Sequence, residues 1–154
     1  MSNRKYTGFT LLEMMMVVVI IALIAAVAIP KLSRGAQGAT DSAVAADLAV
    51  LRNAIDMFQA EHNNSYPAVA TISTQLTQFT DITGATNATK DATHIYGPYL
   101  RTVPALPVGA NKGNTGIAAA AGTGVGWLYT AASGTIGTST TTETDSNGVL
   151  YTTY

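Results

Sequence analysis

The stretch that decides the fold is "RKYTGFTLLEMMMVVVIIALIAAVAIP", residues 4–30, in which a glutamate borders a long apolar run. Sixteen consecutive residues, Met14 to Ile29, carry no polar side chain. A membrane-spanning helix needs about 20 such residues, and adding residues 9–12 reaches that length but places Glu13 inside the span. A carboxylate costs about 2.5–3.5 kcal/mol at the centre of a membrane helix and less near its end. Glu13 is therefore either tolerated at the edge of the span or functional.

A local interpretation explains Glu13 without any partner. Thr10-Leu11-Leu12-Glu13 matches the capping box, in which the Thr and Glu side chains each accept a hydrogen bond from the other residue's backbone N–H. Phe9 and Met14 would form the hydrophobic staple that accompanies it. A carboxylate in the first turn also faces the positive end of the helix dipole. The pattern therefore predicts that the N-terminal helix begins at this box.

Two interpretations of the segment follow from ordinary export. A basic start at Arg4 and Lys5, the apolar run and the small residues Ala26-Val27-Ala28 fit a conventional signal peptide cleaved after Ala28, which would release a soluble binding domain. The same run also fits a signal anchor that stays in the membrane.

A third interpretation places the cleavage between Gly8 and Phe9, before the apolar run. The helix then stays whole, and Phe9 acquires a new α-ammonium group four residues before Glu13. In an assembly of helices, the amine of one copy can neutralise Glu13 of the next, where the dielectric constant is low. An unpaired buried carboxylate is costly, so only copies in register avoid that cost. On this interpretation Glu13 aligns the subunits.

The string "GFTLLEMMMVVVIIALIAAVAIP", residues 8–30, resembles the class III leader and helix of type IV pilins and type II secretion pseudopilins. The resemblance implies that a prepilin peptidase cuts after Gly8 and that the new N-terminus at Phe9 is methylated. It also implies that Glu13 is the assembly carboxylate and that Pro30 is the helix kink.

The resemblance further implies the location and the partners of the protein. It implies a single-pass protein of the bacterial inner membrane whose C-terminal domain lies outside the cytoplasm. Its partners would be membrane lipid, an inner-membrane assembly platform and copies of itself, packed as a helical filament. That filament would be a periplasmic pseudopilus or a surface pilus.

The helical pattern continues beyond the apolar run. Pro30, Gly35 and Gly38 weaken the helix locally, and apolar residues then recur at spacings of three and four, which predicts a helix that covers a soluble core. His62 extends this series, and Asn63-Asn64 supplies residues that tolerate a left-handed helix end. The series is Val44, Leu48, Leu51, Ile55 and Phe58. The predicted segments are a leader (1–8), a transmembrane and assembly helix (9–30), an amphipathic helix (31–64) and a globular domain (65–154).

The globular part is predicted to complete an α+β, pilin-like fold, with a small antiparallel sheet packed on the second half of the helix. "AVLRNAIDMFQAEHNNSYP" (49–67) and "YGPYLRTVPALPVG" (96–109) resemble the major type II pseudopilin. Trp127, Tyr129 and Leu150 are predicted core residues. The predicted elements are a short helix over 72–79, a Gly-rich loop over 109–126, strands in "GWLYT" (126–130) and "TIGTSTTT" (135–142) joined by a turn, and a last strand, "GVLYTTY" (148–154).

Composition excludes several classes of function. The net charge is −1 and there is no basic stripe, so nucleic-acid binding has no support. Cysteine is absent, which excludes disulfides and thiol chemistry. No catalytic motif is present, and neither His62 nor His94 belongs to a ligand pattern, so we expect a structural protein and not an enzyme.

One oxygen-rich cluster, "ETDSNG" (143–148), suggests a hard-cation site. Glu143, Asp145 and Asn147 would supply oxygen ligands of the kind that calcium prefers. The alternative is a polar turn before the last strand. The major type II pseudopilin binds calcium in its C-terminal loop, so the resemblance implies the same here, although the acidic pattern of that loop is not reproduced.

Overall fold

The fold is described from a computed structural model, which covers residues 8–154 except for the side chains of Pro30, Ser33 and Arg34. The predicted leader, with Arg4 and Lys5, lies outside the described residues apart from Gly8. The chain divides into two compact units at Gln37 and Gly38.

Helix α1 runs from Leu11 to Glu61, 51 residues, and is continuous through Pro30. In the first unit its large apolar side chains are exposed, from 44% at Val17 to 80% at Leu32. The 19 residues Leu11–Ile29 have a mean hydropathy of 2.9 and are long and apolar enough to cross a membrane. The first unit is therefore a helix whose apolar surface faces outward.

In the second unit, the same helix buries a stripe of apolar side chains. The spacing of three and four residues brings them to one face, because an α-helix has 3.6 residues per turn. Val50 and Met57, on the opposite face, are about half exposed. Asn63 and Asn64 adopt positive φ angles of 52° and 63° just after the helix ends, which confirms the predicted stop. The buried stripe consists of Val44, Leu48, Leu51, Ala54, Ile55 and Phe58.

The rest of the second unit forms one short helix and two small sheets. The first sheet is an antiparallel pair, β1 with β2, and the second has the order β3-β4-β5. In it, β3 is parallel to β4, whereas β4 and β5 are antiparallel. The elements are α2 (Ile72–Thr77), β1 (Phe79–Thr80), β2 (Thr86–Asn87), β3 (Gly116–Ala118), β4 (Val125–Thr130), β5 (Thr135–Thr138) and a 3₁₀ helix (Tyr151–Thr153).

The predicted α+β arrangement, the short helix and the β4–β5 hairpin are confirmed. The prediction that residues 109–126 form a loop is wrong, because β3 lies there and Ile117 is only 9% exposed. Glycines allow the two backbones to approach: a Cβ on Gly116 would meet the carbonyl oxygen of Gly124 at 2.5 Å, and one on Gly126 would meet that of Asn114 at 2.2 Å. Because β3 is parallel to β4, the sheet is mixed and not the purely antiparallel sheet that was predicted.

The predicted last strand is also wrong. Leu150 makes an isolated bridge to Thr144, and residues 151–153 then turn into the 3₁₀ helix. Tyr151 enters the core in place of Leu150, which is 39% exposed. The turn brings the Tyr151 hydroxyl to a carboxylate on α1, a contact that an extended strand pattern does not reveal.

Trp127 and Tyr129 are fully buried, as predicted, and both satisfy their polar atoms. Trp127 Nε1 donates to the carbonyl of Pro104 (2.9 Å), and the Tyr129 hydroxyl donates to the carbonyl of Pro67 (3.0 Å). Within residues 8–154, every buried side-chain nitrogen and oxygen that the structure describes has a hydrogen-bond partner. This matters because an unpaired buried polar group costs about 1–3 kcal/mol.

We expect Leu48→Ala to lower the free energy of unfolding by about 2–5 kcal/mol, because Leu48 is fully buried and its loss leaves a cavity. Met57→Ala is the matched control on the same helix, since Met57 is 54% exposed and its truncation should cost about 0.5 kcal/mol or less. Urea unfolding of the full chain in detergent, followed by the fluorescence of the single tryptophan, measures both. Equal losses in the two variants would contradict the assigned core.

Candidate functional site

The first candidate site is the start of α1, where the predicted capping box is present. Glu13 N donates to Thr10 Oγ1 (3.2 Å), and Thr10 N donates to Glu13 Oε2 (3.5 Å). Gly8 and Phe9 precede the helix and are exposed, Phe9 by 75%. The helix thus begins just after these two residues, at Leu11, which leaves the peptide bond between them outside regular structure.

The capping box does not use the whole carboxylate. Its bond to Oε2 lies at the long limit of a hydrogen bond. Among the described residues, Oε1 of Glu13 accepts no hydrogen bond, and the side chain is exposed. Two backbone N–H groups are therefore satisfied, while the negative charge of Glu13 still lacks an opposite charge among residues 8–154. The local role and the assembly role of Glu13 are compatible in this geometry.

The apolar surface that follows Glu13 surrounds the helix. Large side chains remain exposed at successive positions, so they line every face of these turns and not a single stripe. A helix that is apolar all round is suited to lipid or to a bundle of similar helices. These side chains include Met15, Met16, Val18, Ile20, Ile21, Leu23 and Ile24, all between 52% and 65% exposed.

The predicted kink residue, Pro30, lies inside α1, and its role as a kink stays a prediction. Two glycines follow it in the helix. Apart from the helix's own neighbouring turns, no described atom lies within 4 Å of the position that a Cβ would take at Gly35 or Gly38. Packing within this chain does not require these glycines, although each weakens a helix by about 1 kcal/mol relative to Ala.

Of the predicted metal residues, Asp145 and Asn147 lie at one turn and Glu143 precedes it, and both carboxylates accept hydrogen bonds within the chain. Asp145 Oδ1 accepts from Asn147 N and from Val149 N, both at 2.8 Å. Glu143 Oε1 accepts from Ala110 N at 2.9 Å. Within the described residues, no three His, Cys, Asp or Glu side chains converge as a metal site. The turn that was the alternative interpretation is present, and calcium binding stays a prediction.

Sequence analysis missed the residue that this turn contacts on α1. Asp41 Oδ1 accepts from the Tyr151 hydroxyl (2.5 Å), and Oδ2 accepts from Ser146 N (3.0 Å). Asp145 Oδ2 accepts from the Tyr154 hydroxyl (2.7 Å). We call these five residues the C-terminal clasp. Asp41 is 105 and 110 residues away from its partners, so no local pattern signals the contact.

The clasp combines charged carboxylates with neutral phenols. The hydrogen bond from Tyr151, and then that from Ser146, holds the pKa of Asp41 below its ordinary value of 3.8. The hydrogen bond from Tyr154 does the same, first among several bonds, for the pKa of Asp145. Burial, and then the bond to Asp41, raises the pKa of Tyr151, and the bond to Asp145 raises the pKa of Tyr154 to about 12. At neutral pH the carboxylates are therefore ionised acceptors and the phenols are donors.

Both histidines have structural surroundings. His62 is 2% exposed, its ring stacks on Phe58 at 3.7 Å, and its nitrogens lie 2.7 Å from the Phe58 carbonyl and 3.0 Å from Thr80 Oγ1. His94 lies in a loop, as predicted, and its Nδ1 is 2.9 Å from Asp91 Oδ2. The ring of His62 is thus held between α1 and β1, whereas that of His94 is held within its own loop, so the described contacts place the two histidines in separate surroundings.

Comparison with known proteins identifies the N-terminal segment. Residues 3–29 match the family model described as the prokaryotic N-terminal methylation motif, the class III prepilin leader. No curated protein and no solved structure matches the chain. The motif and the apolar helix together fit a type IV pilin-like protein. More particularly, they support a pilin-like or pseudopilin precursor, which is a structural rather than a catalytic kind of protein. The N-terminal helix with this motif also suggests membrane anchoring.

We expect the stabilising effect of Asp41 to depend on pH. Its pKa is lowered in the folded state, so its contribution is complete above the unfolded pKa, near 3.8, and is lost as the pH falls through the folded value. Asp41→Asn should therefore lower the free energy of unfolding at pH 7, and the difference from the parent chain should shrink towards pH 2. Urea unfolding at a series of pH values measures this difference.

The control is Asp56→Asn, which changes an exposed aspartate on the same helix. It should lower the free energy of unfolding much less than Asp41→Asn at pH 7. A loss for Asp41→Asn that is equally large at pH 2 and pH 7 would contradict a role for the ionised carboxylate.

Proposed function

We propose that this chain is the precursor of a structural subunit of a type IV pilus-like filament or type II secretion pseudopilus. The observation that carries the proposal is the position of Glu13: a carboxylate without an opposite charge among residues 8–154 lies in the first turn of an exposed apolar helix, within a methylation motif. The mature subunit is held in the bacterial inner membrane by one span, with its C-terminal domain outside the cytoplasm. An inner-membrane assembly platform then incorporates it into the filament.

The accessibility of the chain before α1 supports processing after Gly8. Gly8 and Phe9 are exposed and precede the helix, so a prepilin peptidase can bind them without unwinding it. In contrast, Ala26-Val27-Ala28 lies inside α1, and a conventional signal peptidase would have to open the helix there. Cleavage after Gly8 removes Arg4 and Lys5 and creates the amine of Phe9, which is then methylated.

Desolvation of Glu13 is what drives alignment of the subunits. When the exposed apolar faces of several helices pack together in lipid, Glu13 loses contact with water, and the capping box alone leaves its charge uncompensated. The Phe9 amine of a neighbouring subunit supplies the opposite charge at one axial position only. Removing one partner of a buried ion pair costs about 3–5 kcal/mol, so subunits out of register are strongly disfavoured.

The first test is the N-terminus of the mature protein. In a host with a prepilin peptidase, we expect mass spectrometry to find a chain that begins with N-methylated Phe9. Gly8→Val should block this cleavage because a bulky side chain then stands at the scissile bond, whereas Ala28→Val, the control at the alternative site, should not. A mature chain that begins at Ile29, blocked by Ala28→Val, would support instead an exported soluble domain.

The second test separates pairing from capping at Glu13. Glu13→Gln keeps an acceptor for the capping box, since Gln also serves there, but it removes the charge. We expect Glu13→Gln to enter the membrane and to reduce filament yield tenfold or more, consistent with the roughly 3–5 kcal/mol cost of an unpaired buried charge. Thr10→Val removes the side-chain cap, worth about 1 kcal/mol, and should reduce the yield less.

Asp56→Ala serves as the control for loss of a carboxylate elsewhere on α1 and should assemble normally. Sheared filaments quantified against membrane-bound subunit give the yield for each variant. If Glu13→Gln assembles as well as the parent chain while Thr10→Val fails, Glu13 acts through the capping box and the pairing mechanism is wrong.

A further inference from the structure

We call residues 143–154 the strap. Hydrogen bonds connect it to two residues of α1, Asp41 and Arg52. Asp41 accepts hydrogen bonds from two residues within the strap, Ser146 and Tyr151. At the far end of the strap, Arg52 donates to the backbone carbonyl of Tyr154. Tyr151 is the buried anchor, at 4% exposure, whereas Val149 and Leu150 remain 48% and 39% exposed. The apolar contacts of the strap with the core are therefore limited to Tyr151 and to the partly buried Tyr154, whose ring centre lies 5.5 Å from that of Tyr151.

The segment of α1 that the strap contacts also has little apolar support. Ala39 and Ser42 are exposed, and among the described side chains of this helix the first that is fully buried is Val44. Ser42 Oγ donates to the carbonyl of Gly38 (2.9 Å), a back-bond that slightly destabilises helices. Gly35 and Gly38 weaken the preceding turns. By contrast, residues 48–58 carry five buried core side chains.

We propose that the hydrogen bonds from Ser146 and Tyr151 to Asp41, which we call the latch, determine where the stably folded part of α1 begins. Segment 38–44 contributes only Val44 to the core, segment 143–154 contributes Tyr151 with Tyr154 packed beside it, and Asp41 joins the two segments directly. They therefore open and close together as one cooperative unit, of lower stability than the core around residues 48–58. While these hydrogen bonds are formed, local unfolding of α1 that starts in residues 30–38 does not extend past Asp41.

This consequence for assembly rests on the proposed function. A subunit that joins a filament must pack its apolar helix against its neighbours. Residues 30–38, which contain Pro30, Gly35 and Gly38, are where α1 bends or unfolds most easily. The latch keeps that adjustment out of the globular domain, so the strap and the core retain their structure. The existence of the latch itself does not depend on filament formation.

Hydrogen exchange of the full-length, unassembled chain in detergent tests the latch. Tyr151→Phe keeps the buried ring and removes only the hydroxyl that Asp41 accepts from. We expect amide exchange to accelerate about tenfold or more in both 38–44 and 143–154, as fits the loss of one hydrogen bond to a charged group. Exchange in residues 48–58 should not change. Asp41→Asn should give the same paired pattern.

The matched control is Tyr129→Phe, which removes a hydroxyl that donates to the carbonyl of Pro67, away from the strap. It should leave exchange in 38–44 unchanged. The latch is overturned if Tyr151→Phe accelerates exchange only in 143–154, accelerates it equally across 48–58, or changes nothing. Because this assay uses unassembled protein, its result is independent of the Glu13→Gln filament assay, and the two proposals can fail separately.

Discussion

One continuous helix carries two kinds of surface, and the rest of the structure depends on this constraint. The first part of α1 exposes apolar side chains on all its faces, as lipid or neighbouring helices require. The part beyond Gly38 exposes polar residues and buries one stripe under a small domain. Backbone hydrogen bonding is the same in both, so one regular element serves both surroundings without leaving unpaired backbone groups.

At each end of the apolar segment lie residues that depart from a uniform apolar helix. At its start, the box of Thr10 and Glu13 satisfies backbone N–H groups, and within residues 8–154 one carboxylate oxygen and the charge of Glu13 have no further partner. At its other end, Pro30, Gly35 and Gly38 interrupt an otherwise strong helical sequence. The first feature suits a contact that only a second molecule completes, and the second suits local adjustment of the helix. Both are consistent with a subunit that assembles through its N-terminal helix.

The domain has no cysteines, and directed polar contacts connect its loops to its core. Trp127 and Tyr129 each fill the core and donate a hydrogen bond to the carbonyl of a proline residue in a loop. Asp41 and Asp145 do the equivalent for the C-terminal residues, through Tyr151 and Tyr154. Three of these contacts, those of Trp127, Tyr129 and Tyr151, join residues 23 to 110 positions apart, so they remove conformational freedom from long loops, whereas the bond from Tyr154 to Asp145 is local.

Local and periodic features were predictable because neighbouring residues determine them. The capping box, the 3/4 spacing of the buried stripe and the Asn63-Asn64 stop all act within one or two helical turns, and the structure has them. The β4–β5 hairpin was likewise predictable from its apolar residues and short turn. The wrong predictions concern segments whose structure depends on contacts with residues far away in the sequence. Glycines around Gly116 looked like loop residues, yet they admit the neighbouring backbone that makes β3 a strand.

The sequence by itself determined the helix, its apolar span and the methylation motif, because each is a pattern within a continuous stretch. Only the tertiary structure decided that β3 pairs parallel to β4, that Tyr151 rather than Leu150 enters the core, and that Asp41 receives the C-terminal residues. These outcomes depend on packing and hydrogen bonds between segments as many as 110 residues apart. Such contacts leave no periodic or spacing signal, since any aspartate on the solvent side of a helix looks the same until the chain folds back on it.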